Sequence, residues 1–97
     1  MPRISRKYAE TLVFHIMTQG INKSFIFEKA EDKKFYIKTM YKLKDEFKIK
    51  IIAYCIMDNH THMLIETERI DELSKYMLKL NTIYGKYYNK KYKRDSS

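Results

Sequence analysis

The chain has 97 residues, of which 44% are hydrophobic, and its formal net charge is +8. This length accommodates a single domain, residues 1–97, and excludes a second globular unit. The apolar content excludes a disordered chain, and no apolar run reaches the roughly 18 residues that a membrane span requires. The basic N-terminal segment has no apolar signal core, so we expect a cytoplasmic protein without a membrane partner.

The first predicted strand runs from Thr11 to Met17, where strongly apolar residues alternate with a second set that includes His15. The segment from Gly20 to Ser24 has the composition of a turn, and Phe25 to Phe27 could pair back on the first strand as a hairpin extension. Basic residues would lie near one end of this strand as candidate phosphate contacts. These residues are Arg3, Arg6, Lys7 and Lys23.

A helix is predicted to begin at Glu31 and to end near Phe47. Acidic residues at its start suit the positive end of the helix dipole, and apolar residues then recur at helical spacing. The following segment, Lys48 to Met57, is apolar on both faces, which predicts a strand in the middle of a sheet. Its Cys55 is the only cysteine, so no internal disulfide can form, and we expect a buried, unreactive thiol.

The next strand, about His60 to Thr67, is predicted to have two different faces. Thr61, Met63 and Ile65 would point toward the helices, whereas the alternate residues, both histidines among them, would point to the other side. A second amphipathic helix is predicted from about Asp71 to Asn89. The polar segment at the end, 90–97, has no pattern and is expected to be a flexible basic tail.

Positive charge accumulates toward the C-terminal end, since no acidic residue occurs between Lys75 and Arg94. Such a field favours polyanions, because each neutralised phosphate releases condensed counterions. A solvated basic helix face explains the same pattern equally well. The nine tyrosines shift the balance toward nucleic acid, because aromatic rings among cations can stack on unpaired bases. The further contacts that we predict for nucleic acid are Asn59, Lys86 and Lys90.

The predicted element order, β(β)αββα, describes an antiparallel sheet with two helices on one face, which is an α+β sandwich. It is similar to a ferredoxin-like fold whose final strand is missing. The helices leave the other sheet face open, and that face would carry His60 and His62, with His15 alongside them. A missing final strand also leaves an open sheet edge, which predicts pairing between two copies in a homodimer.

The pair His60 and His62 on one strand face allows three interpretations. The histidines can be structural, with their ring nitrogens hydrogen-bonded to neighbours. They can belong to a zinc site, which needs three or four nitrogen or sulfur ligands that Cys55 on a different strand does not complete. They can also hold a divalent metal with open positions that polarises a phosphodiester. Because Glu66 lies about 13 Å along the strand from His62, it cannot share that ion, and a third ligand must come from elsewhere.

The segment from Met57 to Ile65 resembles the Met-Pro-Asn-His-hydrophobic-His-Leu-Leu-Ile signature of the HUH single-tyrosine transposases, which include insertion-sequence and REP-associated enzymes. The stretch from His15 to Asn22 is similar to the opening strand and turn of that family. The segment from Asn81 to Asn89 is similar to its basic aromatic helix. The resemblance extends over nearly the whole chain.

This resemblance implies a ferredoxin-like domain that cuts and rejoins single-stranded DNA beside a hairpin, in DNA transposition and recombination. It assigns His60 and His62 to a Mg²⁺ or Mn²⁺ ion, together with a third polar ligand. In the family a tyrosine attacks the phosphate at this metal and forms a 5′-phosphotyrosine intermediate. The implied partner is single-stranded or hairpin DNA.

The chain also departs from the family pattern. Gln19 stands where a basic residue is frequent, Asp58 stands where proline is common, and Thr61 replaces a bulky apolar residue. The Tyr-x-x-x-Asn-Pro pattern of the family's later tyrosine helix does not occur in these 97 residues, which leaves Tyr84 and Tyr88 as candidate nucleophiles. We therefore expect a truncated transposase domain that binds DNA, with a weakly held or absent metal and an enzymatic activity that the sequence leaves open.

Two alternatives remain open from the residues alone. The chain could be a non-catalytic nucleic-acid-binding or regulatory module, in which the open sheet face stacks bases and the histidines make polar contacts. It could also be a small metal-dependent hydrolase unrelated to transposition.

Overall fold

The computed structural model describes residues 12–19 and 27–93 of the chain. Three strands form one antiparallel sheet, and two helices complete an α+β fold of the predicted, truncated ferredoxin-like kind. The expected hairpin extension at 25–27 lies outside the described residues except for Phe27. In chain order the elements are β1 (Leu12–Gln19), α1 (Ala30–Lys44), β2 (Lys50–Ile56), β3 (His60–Thr67), α2 (Ile70–Tyr88) and a π-helical turn (Asn89–Lys93).

Strand β3 lies at the centre of the described sheet, with β1 on one side and β2 on the other. Its side chains alternate, since Thr61, Met63, Ile65 and Thr67 are buried and the residues between them are partly exposed. Because successive side chains of a strand point to opposite faces, one face of the sheet lies under the helices and the other face stays open. The strand with two different faces is therefore confirmed.

The hydrophobic core lies between the buried face of β3 and the inner sides of the two helices. Three tyrosine rings, Tyr36, Tyr76 and Tyr84, are among its largest fully buried side chains. The Tyr76 hydroxyl donates a hydrogen bond to the Met40 carbonyl oxygen at 3.0 Å, so its ring is buried without leaving the hydroxyl unpaired. The core residues are Phe27, Tyr36, Met40, Leu43, Ile49, Met63, Ile65, Leu73, Tyr76, Leu80 and Tyr84.

Within the described sheet, strand β2 lies at an edge and not in the middle, where it was predicted. Its pairing with β3 changes register between Ile51 and Ala53, where Ile52 is the extra residue of a β-bulge. The extra residue reverses the alternation and places Cys55 opposite His62, on the open face. Cys55 is exposed, which corrects the expected buried thiol. A run that is apolar on both faces does not distinguish a central strand from a bulged outer strand.

Helix α2 continues without a break into the π-helical turn, which extends past residue 90, where the flexible tail is predicted to begin. Side chains of this turn reach back to the start of α1. The Lys91 ammonium contacts the Asp32 carboxylate at 2.7 Å and also pairs with Glu31, and the Tyr92 hydroxyl donates to Asp32 at 2.6 Å. These contacts join Lys91 and Tyr92 to the start of α1.

The Asp32 carboxylate is fully buried and accepts hydrogen bonds from the backbone just before α1 and from side chains of α2 and the π-helical turn. The Tyr87 hydroxyl donates to it at 2.7 Å, and the backbone N–H groups of Glu28 and Lys29 donate at 3.1 Å and 3.0 Å. The two N–H bonds cap the beginning of α1, where unpaired donors and the helix dipole favour a negative charge. Asp32 therefore joins the start of α1 to the end of α2.

The balance of forces on Asp32 favours its ionised form. Burial by itself would raise the pKa of this carboxyl, but the hydrogen bonds from Lys91, Tyr92 and Tyr87 outweigh burial and hold the pKa well below its usual value. A carboxylate whose pKa is lower in the folded state than in the unfolded chain stabilises the fold above the unfolded pKa. That stabilisation is lost as the pH falls from the unfolded pKa toward the folded one.

Asp32→Asn should lower the free energy of unfolding at pH 7 by about 2 kcal/mol, because hydrogen bonds to a charged group are among the stronger ones in a fold. The difference in stability between wild type and variant should shrink as the pH is lowered below 4, where the unfolded carboxyl becomes protonated. Urea unfolding at several pH values measures both effects. Asp71→Asn is the matched control, since Asp71 pairs with Arg69 on the surface and its loss should change stability little. A stability difference independent of pH would contradict this account of Asp32.

Thr61, between the two histidines, is fully buried beside Tyr36. The Tyr36 hydroxyl donates to the Asn81 side-chain oxygen at 3.2 Å, and burial raises its pKa.

Candidate functional site

The turn before β3 fixes the position of the two histidines at the start of that strand. The Phe27 N–H donates to the Asp58 carbonyl oxygen at 2.8 Å, and the Met57 N–H donates to the His60 carbonyl oxygen at 2.8 Å. The Lys33 ammonium contacts the Asp58 carboxylate at 2.9 Å. Asp58, which stands where the related signature has proline, thus ties the turn to α1 by an ion pair.

His60 and His62 both project from the open face of β3 and are partly exposed. Their ring centroids are 5.0 Å apart and the ring planes are inclined by 82°. The His60 Nδ1 atom lies 2.9 Å from the side-chain oxygen of Asn59. An amide oxygen can only accept, so Nδ1 of His60 carries the proton and Nε2 keeps its lone pair. His60 is therefore held in a tautomer whose Nε2 atom can bind a metal ion.

The structure brings His15 to the same open face, as the alternation of β1 predicts. In the register of the two strands His15 pairs with Leu64 and Met17 pairs with His62, which makes the two histidines diagonal neighbours. The His15 Nε2 atom is 3.1 Å from the His62 Nδ1 atom. The open face thus carries three imidazoles within one small area.

A shallow cavity of about 240 Å³ lies beside His62 on this face. Its surroundings are mostly apolar, and the exposed side chains of Val13 and Met17 continue the apolar surface along β1. The cavity is lined by His15, Ala53, Tyr54, Cys55, His62, Met63 and Leu64. An exposed apolar surface next to polar rings suits contact with an unpaired base better than contact with a phosphate.

The donor set at the histidine pair is incomplete for a closed metal site. Among residues 12–19 and 27–93, no group of three or more His, Cys, Asp or Glu residues is placed to hold a metal ion. Glu66 lies at the other end of β3, where β2 begins. Two imidazoles fit an ion that completes its coordination with phosphate or water oxygens. Imidazole is a softer donor than the oxygen ligands that Mg²⁺ prefers, so the pair fits Mn²⁺ better than Mg²⁺.

A larger cavity of about 480 Å³ lies at the end of the sheet away from the histidines. It is lined by Lys48, Ile49, Lys50, Glu66, Thr67, Glu68, Arg69 and Glu72. Three carboxylates among its cations oppose the approach of a phosphate backbone. The size of this cavity therefore does not make it a candidate for the nucleic-acid site.

Tyr84 and Tyr88 do not reach the histidine pair, because α2 packs against the opposite face of the sheet. Tyr84 is buried in the core, where its ring packs against Phe27 and Tyr36, and burial raises the pKa of its hydroxyl. The Tyr88 hydroxyl donates to the Glu28 carboxylate at 2.8 Å. The structure does not support the expectation that either hydroxyl attacks a phosphate at the histidine pair.

The basic residues predicted to contact nucleic acid do not form one cluster with the histidines. Asn59 contacts His60 and so belongs to the site. Lys86 and Lys90 are exposed in the helical layer, which covers the other side of the sheet. The remaining candidates, Arg3, Arg6, Lys7 and Lys23, lie outside the described residues.

Sequence reasoning missed two contributors to the site. Cys55 lies on the open face only because of the bulge at Ile52, and no residue type in β2 predicts that bulge. Lys33 supports the turn through Asp58, a contact between elements that are distant in sequence. The side-chain oxygen of Asn59, directly before His60, was the one signal for the tautomer that the sequence contained.

None of the helices in the described part of the chain is long and apolar enough to cross a membrane.

Residues 8–97 match a protein family described as "Transposase IS200 like". The matched range includes all of the described elements. No curated protein and no solved structure matches the chain.

Tyr84→Phe and Tyr88→Phe should both leave metal affinity and any cleavage of a labelled DNA hairpin unchanged, since neither hydroxyl faces the histidines. Calorimetric titration with Mn²⁺ and gel analysis of the DNA products measure the two properties. Thermal unfolding serves as the control for each variant, because Tyr88→Phe removes a surface hydrogen bond and Tyr84→Phe keeps the ring in the core. Loss of cleavage in either folded variant would identify that tyrosine as a nucleophile after all.

Proposed function

Because the chain belongs to the IS200-like transposase family, we propose that its histidine face binds a divalent metal and single-stranded DNA. Family membership indicates a role in DNA transposition and DNA binding. We further propose that the site holds a metal ion, that the bound DNA is single-stranded, and that the protein takes part in its cleavage. A cytoplasmic location, expected from the sequence, is part of the same proposal.

The observation that carries the proposal is the hydrogen bond between Asn59 and His60. It directs the proton of His60 to Nδ1 and leaves the Nε2 lone pair free for a metal ion. A hydrogen bond of this kind to the second ring nitrogen is typical of metal-binding histidines, which is why it supports the proposal. His62 lies two residues further along β3, on the same face, and supplies the second imidazole.

The residues of the open face would hold the reacting phosphate in a defined place. A Mn²⁺ or Mg²⁺ ion, when bound, supplies Lewis-acid polarisation of the scissile phosphodiester. His60 and His62 position that charge, and the apolar surface at Val13 and Met17 is available to the neighbouring bases. The attack itself, with its 5′-phosphotyrosine product, requires a tyrosine hydroxyl on this face, and those of Tyr84 and Tyr88 are directed elsewhere.

A homodimer is part of the same proposal. Strands β1 and β2 each have one edge without a strand partner among the described residues. Unpaired backbone N–H and C=O groups at such an edge favour pairing with another strand, and a second copy offers the same edge. The bulge at Ile52 makes β2 the less regular of the two edges. Sedimentation analysis would detect this association.

A second candidate function is supported by the incomplete donor set. A non-catalytic nucleic-acid-binding module requires no third metal ligand, and the described residues provide no group of three. In that case the imidazoles contact bases or phosphates directly. The net charge of +8 serves both candidates equally.

His60→Ala and His62→Ala should each weaken Mn²⁺ binding by about 10-fold or more, because each removes one of two nitrogen ligands. Each should also abolish any cleavage that the wild type shows on a labelled hairpin with a single-stranded flank. Calorimetry measures binding, and denaturing gels detect cleavage and covalent protein–DNA adducts.

Glu66→Gln is the matched control, because Glu66 shares the strand and the face with the histidines but lies at the far end. It should retain the Mn²⁺ affinity of the wild type. DNA binding that is unaffected by a chelator and by His60→Ala would favour the non-catalytic module. Hydrolysis of a small phosphoester without any affinity for DNA would refute both candidates.

A further inference from the structure

We propose that His15 is a positioning residue for His62: its Nε2 atom accepts a hydrogen bond from Nδ1–H of His62 and so directs the His62 Nε2 lone pair toward the metal. This inference rests on the proposed function for the role of the metal. In this inference β1 contributes to the site through His15, which orients a metal ligand without binding the metal itself.

The geometry of the two rings is that of an in-plane hydrogen bond. The nitrogen atoms are 3.1 Å apart, and the ring planes are parallel within 1°. The ring centroids are 5.2 Å apart, well beyond the roughly 3.5–4.0 Å of carbon atoms in face-to-face contact. The rings therefore meet edge to edge rather than as a stack. This arrangement aligns one N–H with one nitrogen lone pair.

The direction of this hydrogen bond decides whether His62 can bind a metal. If His15 donated, Nδ1 of His62 would be the acceptor, and the proton of a neutral His62 would lie on Nε2. If His62 donates, its Nε2 atom keeps a free lone pair. Only the second direction gives both histidines of β3 the same tautomer, because His60 already donates from Nδ1 to Asn59.

The sheet itself fixes the partners of this hydrogen bond. The backbone pairs Met17 with His62 and Leu64 with His15, so the two rings are held by a continuous ladder of strand pairing. On the other side of His62 the cross-strand neighbour is Cys55. A diagonal pair on a sheet stays within reach of long side chains without any rearrangement of the backbone.

Two variants separate the positioning role from packing. His15→Gln keeps an acceptor, its amide oxygen, near the place of Nε2, whereas His15→Phe keeps a ring of similar size and removes the acceptor. His15 is exposed, so neither change should alter the fold, and thermal unfolding checks this. Long-range ¹H–¹⁵N spectra of the metal-free protein report which ring nitrogen of His62 carries the proton. Calorimetric titration with Mn²⁺ alone reports the affinity.

In the wild type and in His15→Gln we expect His62 protonated at Nδ1 and the same Mn²⁺ affinity within about twofold. In His15→Phe we expect a shift of the proton to Nε2 and an affinity about 10- to 100-fold lower, the usual cost of losing a hydrogen-bond partner of a metal ligand. A wild-type His62 protonated at Nε2, or an unchanged tautomer in His15→Phe, would overturn the inference. Absence of Mn²⁺ binding in the wild type would instead refute the proposed function, and the spectra would still decide the role of His15.

Discussion

The alternation of side chains along β3 positions both the hydrophobic core and the histidine site. One face of this strand supplies Met63 and Ile65 to the core, and the other supplies His60 and His62 to the site. A slip of one residue would exchange the two faces, burying imidazoles and exposing the core residues. Because β3 is central in the described sheet, it pairs with both neighbouring strands, and both fix its register.

Asp32 is the second constraint, and it acts at the other side of the molecule. The buried Asp32 carboxylate accepts hydrogen bonds from Lys91, two tyrosine hydroxyls and two backbone N–H groups. Hydrogen bonds to a charged group are strong, and in a chain with a net charge of +8 this negative charge also attracts the surrounding cations. It holds the end of α2 against the start of α1. The resemblance associates the aromatic, basic helix α2 with DNA. Two of its tyrosine hydroxyls, those of Tyr87 and Tyr88, instead form hydrogen bonds within the protein.

The histidine site has two imidazoles that are oriented by hydrogen bonds, but it lacks a complete set of metal ligands. Asn59 orders His60, and the edge-to-edge contact of His15 and His62 offers the same kind of support to the second imidazole. Both imidazoles have a hydrogen-bond partner, whereas the described residues include no group of three His, Cys, Asp or Glu residues placed to hold a metal ion. Membership in the IS200-like transposase family gives this arrangement a context in which substrate oxygens complete the coordination. Two oriented imidazoles are therefore sufficient for a site in which the substrate supplies the remaining metal ligands.

Periodicity and short motifs are local properties, so the order of elements, the two faces of β3, the open face with its three histidines and the family could all be predicted from the residues. The β(β)αββα order is confirmed in its described part, whereas β2 lies at an edge of the described sheet. The sequence contains no sign of the bulge at Ile52, which places Cys55 opposite His62. The binding of the end of α2 by Asp32 and the orientation of Tyr84 and Tyr88 away from the site also emerge only from the folded chain. These facts depend on contacts between residues far apart in the chain, which the packing of helices on one face of the sheet creates.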